Sequence, residues 1–329
     1  MMRVVISIIQ HHRRVYAFSA FYYVCAITLT ANAKPQAVSI ELHNRAVHTL
    51  KDVMASGRFL ANVHAAEMLL SVGEHDGIFE TFEREVSHQK VGSSEYIGAC
   101  RVLAAPQRRP EKRAQWINKI LAVFLDGEGA SRYVAAESLA KLGYYPSADE
   151  KERFQFAAHA SDQTLAVFAT WVLANSGSDD DQMLLAGFLR SSEVQAKANA
   201  PYALRFQPHL THLVYQKLSD AADHEPRKSG IYVYMISAQF VHTSDQATRK
   251  KLSSILLQLA RSGNSAEKLE AYEALAARGE LAQLPQLVGG LDDADPDARA
   301  GAAHAILCIE QRIGPIQPTL RDTASKDSP

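Results

Sequence analysis

The chain has 329 residues, of which 47% are apolar and 22% charged, with a formal net charge of −1. That balance excludes a disordered polymer and leaves room for one large core or two ordinary ones. It also offers no basic field of the kind that neutralises nucleic-acid phosphates.

The first 33 residues have the layout of an export signal. Arg3, His11, His12, Arg13 and Arg14 lead into a mostly apolar run of 15 residues from Val15 to Leu29, and Ala31-Asn32-Ala33 matches a cleavage site. The run is shorter than the roughly 20 residues a helix needs to cross the hydrocarbon core. Residues 1–33 are therefore expected to be cleaved, giving an exported mature chain that begins at Lys34 and resides in the periplasm or outside the cell. Cys25 follows Tyr22-Tyr23-Val24 rather than a small residue, which argues against lipidation. Cleavage removes three of 35 basic residues and none of 36 acidic ones, so the mature charge is 32 − 36 = −4. Only Cys100 and Cys308 then remain, too few for a disulfide framework, and the fold must come from packing.

A five-residue phrase, small-x-polar-x-aliphatic, recurs along the rest of the chain. It starts at Ala65, Ala99, Ala135, Ala169, Ala200, Ser237, Ala271 and Ala302, at intervals of 31 to 37 residues. The fifth positions are Leu69, Leu103, Leu139, Leu173, Leu204, Val241, Leu275 and Ile306. A small and an aliphatic residue at i and i+4 share one helical face, and the small one lets a neighbouring helix approach closely. A second apolar helical pattern precedes most copies: Ile78, Phe79 and Phe82; Ile117, Ile120, Leu121 and Phe124; Leu184, Leu185 and Phe188; Leu210, Val214 and Leu218; Ile255, Leu256 and Leu259; Leu284, Leu287, Val288 and Leu291. Each unit thus reads as a helical hairpin. Ser147 to Glu150 forms a capping-box pattern, Pro110 and Pro146 precede helical runs, and Gly73, Gly143, Gly177 and Gly279 stand where left-handed C-caps are expected. Ile231-Tyr232-Val233-Tyr234 is strand-like in composition but falls in the sixth unit's second helix, so it is assigned to helix.

One hairpin of about 34 residues cannot bury two apolar faces alone, whereas stacked hairpins share a continuous core. The segment from Leu291 through Asp295-Pro296 and Arg299 to Ile306 resembles the HEAT repeat, in particular the HEAT-like repeats of phycobilin lyases. It has the aliphatic end of helix A, the turn Asp, the following Pro, the Arg and a second helix of small residues. Arg132 stands in the place of Arg299 in the third unit, and Asp162 in the place of Asp295 in the fourth. The resemblance implies an all-α, right-handed α-solenoid, a superhelix of about eight hairpins over residues 34–312; the polar composition beyond Arg312 predicts a disordered tail at 313–329. The resemblance is nearly silent on function: the phycobilin lyases that share it attach cofactors in the cytoplasm, which an exported chain does not match, so no cofactor is expected. Similar domains stand beside carbohydrate-uptake components such as sodium-solute symporters, which implies a protein partner of that kind. Arg299 is expected to reach acidic groups of the adjacent unit.

The third positions of the phrase are Glu67, Arg101, Glu137, Trp171, Tyr202, Gln239, Glu273 and His304, none of them aliphatic. About 200° round the helix from the first position, they face the surface lined by second helices. Two readings compete: a structural column of hydrogen bonds between units, and a partner-binding strip anchored on Trp171 and Tyr202. No G-x-S-x-G, H-E-x-x-H, P-loop or dinucleotide fingerprint is found. His209 and His212 lack a further metal-ligand partner; Asp179-Asp180-Asp181 and Asp292-Asp293 suit helix starts and turns better than calcium loops. Arg108, Arg109, Lys112 and Arg113, near Trp116, are an isolated surface cluster. Cys100 and Cys308, in the second and eighth phrases, are expected to be free buried thiols several tens of ångströms apart along the stack. The expected function is a non-catalytic protein-interaction scaffold in the bacterial cell envelope. An exported α/α-toroid polysaccharide lyase is the alternative: its hairpins close into a ring and bring His, Tyr and Arg into one cleft. A DNA-reading HEAT glycosylase is opposed by the acidic balance and the leader.

Overall fold

A computed structural model describes residues 39–57, 59–105, 109–126 and 130–313. The leader, with Cys25, and the polar tail lie outside the described residues. Among the described residues sixteen α-helices follow one another: α1 (Ile40–Ala55), α2 (Phe59–Ser71), α3 (Ile78–His88), α4 (Ser94–Ala104), α5 (Pro110–Asp126), α6 (Ala130–Lys141), α7 (Ala148–Ala158) and α8 (Gln163–Ala174), then α9 (Asp179–Gly187), α10 (Val194–Arg205), α11 (His212–His224), α12 (Tyr232–His242), α13 (Gln246–Ser262), α14 (Ser265–Arg278), α15 (Leu284–Leu287) and α16 (Pro296–Ile313). Short 3₁₀ turns at Leu281–Gln283 and Val288–Asp292 flank α15. The described residues are all-helical, and the strand-like Tyr232-Val233-Tyr234 begins α12.

The helices pair as eight antiparallel hairpins, from hairpin 1 (α1–α2) to hairpin 8 (α15–α16), and each even-numbered helix is the one that carries the repeated phrase. The even-numbered helices pack side by side as an inner layer, with the odd-numbered helices outside. Ala65, Ala99, Ala135, Ala169, Ala200, Ser237, Ala271 and Ala302 are all at most 1% exposed, as close helix approach demands. In the sixth copy the aliphatic position is displaced: Val241 is only half-buried, and Phe240 fills the core instead.

The expected open superhelix is corrected by the way the ends meet. The last inner helix, α16, packs on α14 at one side and on α1 and α2 at the other. His43 Nδ1 lies 2.9 Å from Glu310 Oε2, Arg45 Nη2 lies 2.6 Å from Asp292 Oδ1, and His64 Nδ1 lies 2.8 Å from Asp297 Oδ1. Gln311 Nε2 donates to Val72 O at 2.8 Å. Hairpin 8 therefore occupies, against hairpin 1, the place that each hairpin occupies against the next, and the stack closes into a ring. Contacts that skip a hairpin show the same curvature. Tyr202 of hairpin 5 reaches Glu137 of hairpin 3, and Arg205 of hairpin 5 reaches Glu270 of hairpin 7. In a gently curved stack such helices would stand about 16–20 Å apart, too far for those side chains.

Local chemistry sets the ends of the helices. Ser147 and Glu150 form the capping box that starts α7, and the Asp162 carboxylate accepts from the Thr164 and Leu165 N–H groups at the start of α8. Gly73, Gly143 and Gly177 adopt φ of 89°, 63° and 78°, and Tyr144 N–H returns to Leu139 O at 2.9 Å as in a Schellman turn. Gly279 departs from expectation, with φ −65°. It is needed for space: a Cβ there would sit 2.9 Å from Ile309 Cδ1. Arg299 also departs, turning back to donate to Asp293 O at 2.6 Å in its own hairpin, as Arg132 donates to Phe124 O at 3.2 Å. This Arg ties the end of its own outer helix rather than the adjacent unit.

Gly290 marks the tightest contact in hairpin 8, where an added Cβ would fall against the Tyr272 hydroxyl and 2.6 Å from Ala302 Cβ. Gly290→Ala is expected to destabilise by about 1–3 kcal/mol through overpacking. Urea unfolding would register this as a lowered midpoint at unchanged m-value.

Candidate functional site

The eight third-position residues all lie on the inner helices, and curvature turns their column into the wall of the ring's interior. Arg101 donates its Nε to Glu67, its Nη2 to Glu67 Oε2 at 3.3 Å and its Nη1 to Ser138 Oγ at 3.0 Å. Glu137 pairs with Lys141 Nζ at 2.9 Å and accepts from the Tyr202 hydroxyl at 3.3 Å. Glu273 holds His304 Nδ1 at 2.7 Å, and His304 Nε2 meets Ser71 Oγ at 2.9 Å. One turn along, Arg205 and Glu270 form an ion pair at 2.9 Å with both side chains under 10% exposed. Gln239 is buried, and Trp171 is fully buried.

Trp171 sits in an aromatic cluster, its ring centre 5.7 Å from Tyr202 and 5.1 Å from Phe206. Arg205 stacks over Phe206 at 4.2 Å, and Lys141 lies 5.4 Å over Tyr202. The binding-strip reading would need Trp171 as an exposed anchor, but its side chain is fully buried inside the wall. The column is the hydrogen-bonded network of the first reading, folded so that units exchange partners across the interior. Sequence reasoning missed Lys141, Arg205, Glu270 and His64. Each lies three or four residues from a third position, and extending the column by one turn either way would have found them.

Electrostatics fixes the charge states. Burial would raise the carboxyls of Glu67, Glu137 and Glu273, but Arg101, Lys141 and His304 outweigh it and hold all three below their ordinary value of 4.5. Burial, the largest single influence, opposes charge on His304, yet Glu273 and Cys308 together raise it well above 6.5. The Tyr202 phenol is pushed up to about 12, mainly by burial. The lowered carboxyls contribute stability above pH 4.5 that is lost as pH falls through their folded values. The raised His304 contributes stability fully below pH 6.5 that is lost as pH rises through its folded value. Melting temperature followed across pH should therefore fall on both sides, and His304→Gln should flatten the alkaline arm while leaving an acid arm.

The remaining candidates are scattered. Asp179, Asp180 and Asp181 form the first turn of α9 behind the Ser178 N-cap. His212 begins α11, while the His209 carbonyl accepts from Gln182 Nε2 at 3.1 Å. Arg108 lies outside the described residues, and Arg113 donates to Leu142 O at 2.5 Å. Cys100 and Cys308 are free thiols, Cys100 buried and Cys308 partly exposed. The ring places only hairpin 1 between their hairpins, correcting the long separation expected of an open stack. Among the described residues no helix is long and apolar enough to cross a membrane.

No protein-family model matches this sequence, and no curated protein is similar to it. Among solved structures, it is similar to a crystal structure of an engineered protein from the Northeast Structural Genomics Consortium, at 17% identity over 71% of this chain and 96% of that one, with a TM-score of 0.27.

Proposed function

We propose that this protein is a non-catalytic interaction module built from HEAT-like hairpins, exported to the cell envelope, which holds a protein partner on its exposed periphery. The observation that supports the reading is that the charged groups of the inner wall are committed to one another. Glu67 is paired with Arg101, Glu137 with Lys141, Glu270 with Arg205 and Glu273 with His304. General acid–base catalysis needs a group that changes protonation near the working pH. Here the carboxylates of Glu67, Glu137 and Glu273 are held charged, His304 is held as imidazolium and the Tyr202 phenol is held neutral, while Glu270, raised by burial, is engaged by Arg205. The export proposal rests on the leader of residues 1–33.

The ring and the presence of Arg101, Tyr202 and His304 on one wall favour the lyase as the second reading. A lyase must remove a proton from sugar carbon, and neither an imidazolium nor a phenol held at about 12 accepts it readily. The decisive assay offers the protein alginate, pectate and glycosaminoglycans and follows the ultraviolet absorbance of unsaturated uronate ends. No product is expected. Product formation abolished by Tyr202→Phe and His304→Gln would overturn the non-catalytic reading.

A further inference from the structure

Seven of the ring's joints follow the chain, whereas the joint between hairpins 8 and 1 is held by non-covalent contacts. That joint is the better built side of hairpin 1. α16 packs on both α1 and α2. His43, Arg45, His64 and Ser71 meet Glu310, Asp292, Asp297 and His304 across it at 2.6 to 2.9 Å. From the other side, hairpin 2 holds hairpin 1 through α4 on α2 and through the Arg101–Glu67 pair. The chain between hairpins 1 and 2 is the connection Val72 to Gly77, which doubles back on two left-handed glycines, Gly73 at φ 89° and Gly77 at φ 73°. A Cβ at either glycine would meet nothing within 4 Å, so the backbone conformation alone requires them.

We propose that hairpin 1 is an exchangeable element: two copies of the chain trade it, each seating hairpin 1 against hairpin 8 of the other, to give a domain-swapped dimer of two closed rings. A slot that accepts its own hairpin 1 accepts the same hairpin from a second copy, so every contact of the joint reforms between chains and only the connection changes. Pulled straight, the six residues from Val72 to Gly77 span about 20 Å, and an extended strand needs no positive φ. The monomer is favoured by the local concentration of its own hairpin, on the order of millimolar for a short linker. Hairpin 8 is not the exchanged element, because it is fixed to hairpin 7 as firmly as to hairpin 1. Lys268 holds Asp293 at 2.6 Å, Ser265 holds Asp295 at 2.9 Å, Glu273 holds His304 at 2.7 Å, and Arg312 donates to Gly279 O at 2.9 Å.

The full chain refolded from urea at about 1 μM is expected to sediment as a monomer, and refolded at about 1 mM to yield a dimer that persists on dilution. Gly73→Val with Gly77→Val strains the doubled-back connection but not the extended one, and should raise the dimerisation constant at least about tenfold. Inserting Gly-Ser-Gly-Ser after Asp76 in that variant relaxes the connection and should return the monomer. The swap itself is read from two singly spin-labelled chains, Asn44→Cys and Gln311→Cys, refolded together in a Cys25→Ala, Cys308→Ala background in which Cys100 is buried. Their dimer should show an interchain nitroxide distance below about 30 Å, since α1 and α16 are packed neighbours. A parent chain that stays monomeric however it is refolded, or a dimer without that interchain distance, would overturn the proposal whether or not the glycine variant folds. Neither result bears on the polysaccharide assay, so the two proposals fail separately.

Discussion

Trp171→Ala is expected to cost about 3–5 kcal/mol of folding stability, the range for deleting a fully enclosed large aromatic. Trp171 has no measurable exposure and lies between Tyr202 and Phe206. Its loss would open a cavity in the inner wall at hairpins 4 and 5 and withdraw the edge-on support of Tyr202, which hydrogen-bonds Glu137. The indole N–H finds no acceptor among the described residues, so Trp171→Phe, which sacrifices only that group and part of the ring, should lose much less. Chemical denaturation of both variants checks this. A Trp171→Ala protein as stable as the parent would mean that the side chain is not enclosed by the ring.

Glu270→Ala is expected to be comparably severe. Arg205 and Glu270 are 7% and 4% exposed, and removing one member leaves a guanidinium stranded in a poorly solvated wall, at a cost of roughly 3–5 kcal/mol. Burial raises the Glu270 carboxyl above its ordinary value, with Arg205 opposing it, so the pair is under desolvation strain even when intact. Arg205→Met combined with Glu270→Leu should therefore lose far less than the sum of the single variants. A double-mutant cycle that is instead additive would show that the two side chains do not meet across hairpin 6.

The repeat was legible in the sequence because its cause is local. Close helix packing needs a small residue facing an aliphatic one, and that need recurs with every hairpin, so Ala65, Ala135 and Ala271 mark equivalent positions hundreds of atoms apart. The capping box at Ser147 and the left-handed glycines at 73, 143 and 177 were legible for the same reason. Hairpins 1 and 4 were harder to delimit, since the outer helix α7 buries only Phe154, Ala157 and Ala158. Closure was not legible, because it depends on a small rotation at each joint: eight equal joints close when each contributes about 45°, and no single phrase encodes that sum.

A subtler signal was present at the C-terminus. The last repeat of an open stack needs a polar outer face, but α16 buries Ala298, Ala300, Gly301, Ala303, Ile306 and Ile309 on several sides. That helix is built to be covered from both directions. His43, Arg45 and His64 gave no hint of their role, because their partners Glu310, Asp292 and Asp297 are more than 230 residues away. The column is seen differently for the same reason: what would be an exposed strip on an open stack is a self-paired wall once the stack bends round.

Closure itself can be measured directly by pulsed electron–electron spin resonance. Asn44→Cys on α1 and Gln311→Cys on α16, labelled in a Cys308→Ala background, place nitroxides on either side of the joint between the first and last hairpins. A closed ring predicts a narrow distribution below about 30 Å, since the labelled helices are neighbours packed at roughly 8–10 Å. An open stack of eight hairpins would set the labels more than about 50 Å apart at that same spacing, and such a distance would contradict the ring.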